Sequence, residues 1–271
     1  MGMDILFYIK ALSCVKKMVT YLTCATHPHM LNYLMESGQM FNVHIKCIYL
    51  PVWRNHIEKI VSVQQAIQSL PEDEIVCFMD AFDVIVCGTE QEILEKYIAF
   101  GKELVFSTEL NCFPEEYRYL YPQVDKSNYR FLNAGGYIGT KRAVEACLTW
   151  KSFEYQFHRC ANGTDQAYMH EYFLSHQDTV ALDTMCTMFQ SVYRTRWTEL
   201  ICTNGRVLNT VLNTQPCFLH FNGGAMRIAT DTPDVFGDIT PVFIESMRKS
   251  NNGNDVTFEG FRQWQEPLAQ V

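Results

Sequence analysis

The stretch Cys77–Val86, CFMDAFDVIV, sets two carboxylates into a run that is otherwise apolar. Ile75–Met79 reads as a short strand that runs straight into Asp80, with Asp83 just beyond it. An unpaired carboxylate in an apolar interior is costly, so something must compensate these two. Side chains alternate along a strand, so residues three apart face opposite ways. Asp80 and Asp83 therefore meet at one point only if the chain bends between them. A bend at the carboxyl end of a parallel strand is where open α/β sheets bind ligands.

The flanking segments predict such a sheet. Val19–Ala25 and Val43–Leu50 read as strands, and Leu104–Ser107 as a further one. Between them Pro28–Met40, Ile57–Leu70 and Gln91–Phe100 carry apolar residues at helical spacing, and Pro71 ends the second helix. This β–α–β–α–β rhythm predicts an α/β fold with a mainly parallel sheet and helices on both faces. Asn111–Asn128 looks irregular, and Phe131–Gly139 (FLNAGGYIG) reads as strand, tight turn, strand. Lys141–Phe157 reads as one helix, Asn162-Gly163 as a break, and Thr164–Leu174 as the next helix. A strand at Cys217–His220 leads into the turn residues Asn222-Gly223-Gly224.

Of the 271 residues, 48% are hydrophobic and 19% charged, which is material for one large core. A net charge of −8 without a basic patch argues against nucleic acid. The 11 cysteines are scattered and form no C-x-x-C pair, so they read as small buried hydrophobes in a reducing compartment. No apolar run reaches the ~18 residues of a membrane span. The chain start lacks the order of a signal peptide. A cytoplasmic location is expected, with the ER lumen as the alternative for a processed fragment. The P-loop, the G-x-S-x-G elbow and a G-x-G-x-x-G after the first strand are all missing.

Two strand-end carboxylates suit a hard divalent cation, Mn²⁺ or Mg²⁺, shared with nucleotide phosphates. The bland alternative is helix capping or pairing with arginine. His220 ends an apolar strand and is either a satisfied core histidine or a further metal ligand. Asn222 either donates to a phosphate or shapes the turn. Gly135 and Gly136 either make a hairpin turn with positive φ or let backbone touch a sugar whose hydroxyls Asn133 would bond. Asp165 either complements a helix dipole or binds a sugar hydroxyl or the acceptor. His27 and His29 sit in the loop after the first strand, beside the expected nucleotide pocket.

FMDAFDVIV, FLNAGGYIG, TDQ before a helix, ALDTMCTMFQ and LHFNGG occur in this order. Together they resemble the glycosyltransferase domain of the procollagen lysyl hydroxylases and their relatives among collagen glycosyltransferases. The resemblance covers 19–224, leaving 1–18 as an N-terminal extension and 225–271 as a C-terminal extension packing on the same domain. It implies a GT-A-type, Rossmann-like domain in which Asp80, Asp83 and His220 hold Mn²⁺. It further implies Phe82 stacked on uracil, and Lys59, Asn222 and Gly223 on the diphosphate side. Asn133, Gly135 and Gly136 would lie on the sugar side, with Asp165 near sugar or acceptor. Uridine would be positioned by Phe82 and the end of the first strand near Thr23. The implied reaction moves a hexose from UDP-glucose or UDP-galactose to hydroxylysine or galactosyl-hydroxylysine of a collagen-like protein. The chain departs from the family at Asn162-Gly163-Thr164-Asp165, where relatives carry consecutive aspartates, and at Ser62, where they carry an aromatic. A hydroxylase domain would not fit the chain length, and standalone forms of this kind are similar to those of large DNA viruses. The altered acidic run leaves a non-catalytic UDP-sugar-binding module as the alternative, and a metal-free glycoside hydrolase as a more remote one. A homodimer through tail aromatics such as Phe258, Phe261 and Trp264 is weighed against ordinary packing of those side chains.

Overall fold

Val19–Ala25 (β1), Ile45–Tyr49 (β2) and Ile75–Met79 (β3) run parallel, with β1 in the middle. They are seen in a computed structural model that describes residues 18–161, 164–225, 227–229 and 236–259. The extension over 1–17, the Asn162-Gly163 break, Phe261 and Trp264 lie outside the described residues. Between β3 and the next sheet strand comes Val84–Val86 (β4). Leu104–Glu109 (β5), Phe131–Thr140 (β6) and Val180–Leu182 (β7) complete a six-stranded sheet of order β2-β1-β3-β6-β5-β7. Only β6 is antiparallel to its neighbours.

The sheet is buried on both faces, which is why β3 shows no polar alternation. Val76 and Phe78 face a core built with Asn32–Met40 (α1) absent from it, supplied instead by Ile57–Ile67 (α2), Lys141–Leu148 (α4) and Asp165–Ser175 (α6). Ile75, Cys77 and Met79 face the opposite core, where Leu34 of α1 and Ile93 and Tyr97 of Glu90–Phe100 (α3) pack. Phe153–Ala161 (α5) flanks α6. Thr89, Thr140 and Thr164 cap α3, α4 and α6 by accepting a backbone N–H, and Gly101 closes α3 in the left-handed region (φ 60°).

Two expectations are corrected. FLNAGGYIG holds no hairpin: it lies within the single strand β6, and neither Gly135 nor Gly136 has positive φ. Met79 pairs with Gly136, and the Asp80 N–H donates to Gly135 O (2.8 Å), so β3 holds this stretch extended. The strand bends instead, because its β5 partner jumps from Tyr137 to Asn133 between Phe106 and Ser107. Lys141–Phe157 is two helices. The Gln156 side chain donates to the carbonyls of Leu148 (2.6 Å) and Lys151 (3.3 Å), and Ser152 Oγ accepts from Tyr155 N, so the break is capped from both sides. The irregular stretch 111–128 contains one 3₁₀ segment, Glu115–Leu120.

A smaller layer follows. Phe189–Ser191 (β8), Leu200–Thr203 (β9), Arg206–Asn209 (β10), Phe218–His220 (β11), Arg227–Ala229 (β12), Phe236–Asp238 (β13), Thr240–Ser250 (α7) and Val256–Thr257 (β14) build it. β11 lies between β4 and β8, and β9 between β10 and β14. Phe243 and Phe258 stack at 3.9 Å in a core shared with Trp197, Leu219 and Phe221. Ten cysteines of the described residues are free thiols, nine of them buried. Among the described residues no helix is long and apolar enough to cross a membrane.

His170 of α6 is fully buried between Tyr117 and Tyr121, and its Nε2 lies 3.1 Å from Phe113 O. Burial pushes its pKa down to about 4. An unfolded imidazole takes up its proton near 6.5, so between pH 6.5 and 4 the unfolded chain binds more protons and stability falls as the pH is lowered. Urea midpoints should therefore drop across that window, worth about 3 kcal/mol when complete, from the 1.36 kcal/mol per pKa unit. A His170→Gln variant should lose this component of the pH dependence. An unchanged acid slope would show that His170 does not titrate this way.

Candidate active site

The bend sought in the sequence is present. β3 ends at Met79, residues 80–83 turn, and β4 leaves in a new direction. Antiparallel pairing of β4 with β11 sets His220 opposite Val84, and the Phe221 N–H donates to Asp83 O (2.7 Å). His220 Nε2 thereby lies 3.3 Å from Asp83 Oδ2 and 3.8 Å from Asp80 Oδ2. One ligand atom from each of Asp80, Asp83 and His220 falls within 4.8 Å of the others.

The imidazole is oriented from behind. Asn133 Oδ1 accepts from Gly135 N (3.0 Å) and lies 3.1 Å from His220 Nδ1. Since that oxygen only accepts, Nδ1 carries a proton, and Nε2 is the nitrogen that faces the two carboxylates. Such an outer hydrogen-bond partner on Nδ1 is what orients a histidine that ligates a metal through Nε2. Gly135 makes room for it: a Cβ there would lie 2.2 Å from His220 Cε1 and 2.7 Å from Asp80 Oδ2. Two carboxylates and one such imidazole fit a divalent cation, Mn²⁺ or Mg²⁺. Burial raises the Asp83 pKa, but His220 and then Lys59 pull it below the usual carboxylate range. Burial lowers that of His220, and Asp83, Asp80 and Glu109 more than restore it.

A second ion cluster adjoins the first. Lys59 Nζ is 2.8 Å from Asp80 Oδ1 and 2.7 Å from Asp165 Oδ2, and His56 Nδ1 is 3.2 Å from Asp165 Oδ1. Burial opposes the ammonium, yet Asp165 and Asp80 hold its pKa above the ordinary value. Burial likewise opposes the Asp165 carboxylate, and Lys59 followed by His56 brings it to about 2. Asp165 is an anion throughout the neutral range.

These residues line an open cavity of about 370 Å³ together with Glu109, Asn111, Phe113, Gln166, Tyr193, Asn222 and Gly223. Glu109, at the end of β5, is buried and accepts from Asn133 Nδ2 (3.0 Å), Gln166 Nε2 (2.9 Å) and Asn222 Nδ2 (3.0 Å). Burial raises its pKa against these donors. All three donors converge on this one carboxyl group, so Glu109 ties β6, α6 and the turn after β11 to one point.

Of the residues singled out in the sequence, Asp80, Asp83, His220, Lys59, Asp165, Asn133, Gly135, Asn222 and Gly223 share this cavity wall. Gly136 does not: it faces Phe189, whose ring would sit 2.8 Å from a Cβ. Thr23 lies in mid-β1, wholly buried and, among the described residues, with no partner for its hydroxyl, and it does not line the cavity. The strand continues to Ala25, so Thr23 is enclosed by its neighbours. Phe82 is 40% exposed at the tip of the bend, outside the cavity lining. His27 and His29 are exposed and also outside it. Glu109, Gln166, His56 and Tyr193 were not anticipated. Glu109 was within reach, since it ends a parallel strand just as Asp80 follows one.

Residues 16–230 match the PLOD GT domain family. An uncharacterized protein, R699, of Acanthamoeba polyphaga mimivirus is 27% identical over 218 residues, covering 78% of this chain and 42% of that protein. The human multifunctional procollagen lysine hydroxylase and glycosyltransferase LH3 is 31% identical over 146 residues, covering 49% of this chain and 19% of LH3. The chain thus spans less than half the length of these relatives. The crystal structure of the galactosyltransferase LgtC with donor and acceptor sugar analogs shares the GT-A fold. It has a TM-score of 0.50 at 11% identity and covers 86% of this chain and 96% of LgtC.

Proposed function

Since the chain belongs to the PLOD GT domain family, we propose that it is a metal-dependent glycosyltransferase. It moves a hexose from UDP-glucose or UDP-galactose to hydroxylysine or galactosyl-hydroxylysine of a collagen-like polypeptide. The observation that carries this reading is the convergence of Asp80, Asp83 and the Nε2 of His220 beside the Lys59–Asp165 pair in one open cavity.

Asp80, Asp83 and His220 would hold the cation. When bound, Mn²⁺ supplies Lewis-acid stabilisation of the charge that builds on a departing diphosphate. Lys59 is anchored at two carboxylates, so its ammonium stands at a fixed position beside the same charge. Asp165, kept ionised by Lys59 and His56, accepts a hydrogen bond from a sugar hydroxyl and so orients the donor. Asn133 acts through His220, because its oxygen is already taken by the imidazole and by Gly135 N–H. Asn222 and Gly223 form the wall nearest the diphosphate, and the exposed Phe82 ring offers a face for uracil.

The test is a donor screen with UDP-glucose and UDP-galactose, Mn²⁺, and peptides bearing hydroxylysine or its galactosylated form. It is scored by released UDP and by the added hexose mass on the peptide. Hexose transfer that stops with excess chelator is expected. UDP binding in calorimetry with no sugar consumed from any donor would instead identify a binding module.

A further inference from the structure

The cavity wall carries an electrostatic deficit that the residues above do not cure. Asp80, Asp83, Glu109 and Asp165 set four carboxylates against the single ammonium of Lys59. A divalent cation removes only part of that excess, and a diphosphate donor brings more negative charge into it. Another fixed cation is needed near the diphosphate wall, and the ammonium already present is spent on Asp80 and Asp165.

A candidate stands in the turn after β8. The Thr195 N–H donates to Val192 O (2.9 Å), closing a four-residue turn in which Arg194 takes the third position at φ 65°. That position and angle favour glycine or asparagine. Among the described residues the other non-glycine residues at positive φ are three asparagines, Lys126 and Cys186, none of them lining the cavity or adjoining a residue that does. Strained backbone of this kind persists where the surrounding structure over-determines it, and it concentrates at functional sites.

The turn also sets Arg194 next to a residue of the cavity wall. Its guanidinium carbon lies 5.4 Å from the centre of the Tyr193 ring. That ring lines the cavity and packs against Gly223, where a Cβ would lie 2.9 Å from it, while the Tyr193 N–H donates to Asn222 Oδ1 (3.0 Å). The neighbouring Arg196 and Arg118 are paired with Glu199 and Glu115. Exposed Arg194 forms no ion pair within 4 Å among the described residues; it lies over the Tyr193 ring, and its charge is also felt by Glu115, whose carboxylate is held by Arg118.

We propose that Arg194 is a binding residue for the diphosphate of a nucleoside-diphosphate donor, presented by a strained turn and steered by the Tyr193 ring. The assignment rests on the donor reading above. A guanidinium suits this task, since its planar fork of donors matches phosphate oxygens.

The test titrates wild type, Arg194→Ala and Arg194→Gly, each with Mn²⁺, against UDP, inorganic pyrophosphate and uridine by calorimetry. Both variants should bind UDP and pyrophosphate about tenfold more weakly, the scale of one lost charge-assisted hydrogen bond, with uridine unaffected. The deficit should shrink as salt is raised. Arg194→Gly should melt no lower than wild type, because glycine accepts the left-handed turn, and it keeps the test open if the alanine variant folds poorly. Equal UDP or pyrophosphate affinity across the three proteins overturns the assignment, as does an equal loss for uridine. A wild type that binds neither UDP nor pyrophosphate overturns the donor reading itself and this assignment with it.

Discussion

Asp83→Ala should lower Mn²⁺-dependent UDP release about a thousandfold, the several kcal/mol expected from losing a Lewis acid at the leaving group. The substitution strips one anionic ligand from a group of three and leaves His220 Nε2 facing Asp80 alone at 3.8 Å. The fold should survive, because Asp83 contributes to pairing through its backbone: its carbonyl still accepts from the Phe221 N–H at 2.7 Å. Removing a partly exposed side chain there should change stability by no more than about 1 kcal/mol. Mn²⁺ affinity, read by electron paramagnetic resonance, should fall about a hundredfold. Wild-type turnover in this variant, or turnover of the native protein in excess chelator, would remove the metal from the chemistry.

The fold was legible because its sheet is buried on both faces. Val19–Ala25, Ile75–Met79 and the helices between them alternate with unambiguous periods, and the strands were placed to within a residue or two. FLNAGGYIG was misread because paired glycines usually mark a turn, whereas here they mark close approach. Gly135 sits under His220 and Gly136 under Phe189, contacts made by residues more than 50 positions away. Nothing local to β6 encodes them. The helix over 141–157 was misread because its break is made by the Gln156 side chain capping carbonyls behind it, a bond that apolar spacing does not report.

The same limit governs the acids. CFMD and VALD look alike in sequence, each an apolar strand ending in aspartate. Asp183 of the second is filled by its own following turn, accepting from the backbone N–H of Thr187 (2.8 Å), Met188 (2.6 Å) and Phe189 (2.8 Å) and from the Thr187 hydroxyl. Asp80 receives its side-chain bond from the distant Lys59 and leaves its other oxygen toward His220. One carboxylate is structural and the other open to a ligand, and only the three-dimensional supply of donors separates them. Glu109 escaped notice for a related reason: its three amide partners come from β6, α6 and the turn after β11.

Gly135→Ala and Gly136→Ala, adjacent and chemically identical changes, should fail in different ways. At 135 a methyl group would intrude on His220 Cε1 at 2.2 Å, on Asp80 Oδ2 at 2.7 Å and on His220 Nδ1 at 2.8 Å. Neither neighbour can retreat freely. His220 is held by β11 and by Asn133, and Asp80 by Lys59 and by its own N–H on Gly135 O. The methyl therefore separates two of the three ligands, and UDP release should fall by about a hundredfold or more, since a misplacement near 1 Å has that cost. Mn²⁺ affinity should fall with it. At 136 the methyl meets the Phe189 ring at 2.8 Å in an apolar core, an overpacking that costs about 1–3 kcal/mol of stability. There the urea midpoint should drop while Mn²⁺ affinity in the folded protein stays near wild type. If both variants lose metal binding in proportion to their loss of stability, Gly135 serves the fold rather than the ligand cluster. If Gly135→Ala binds Mn²⁺ like wild type, the ion is not held where Asp80 and His220 converge.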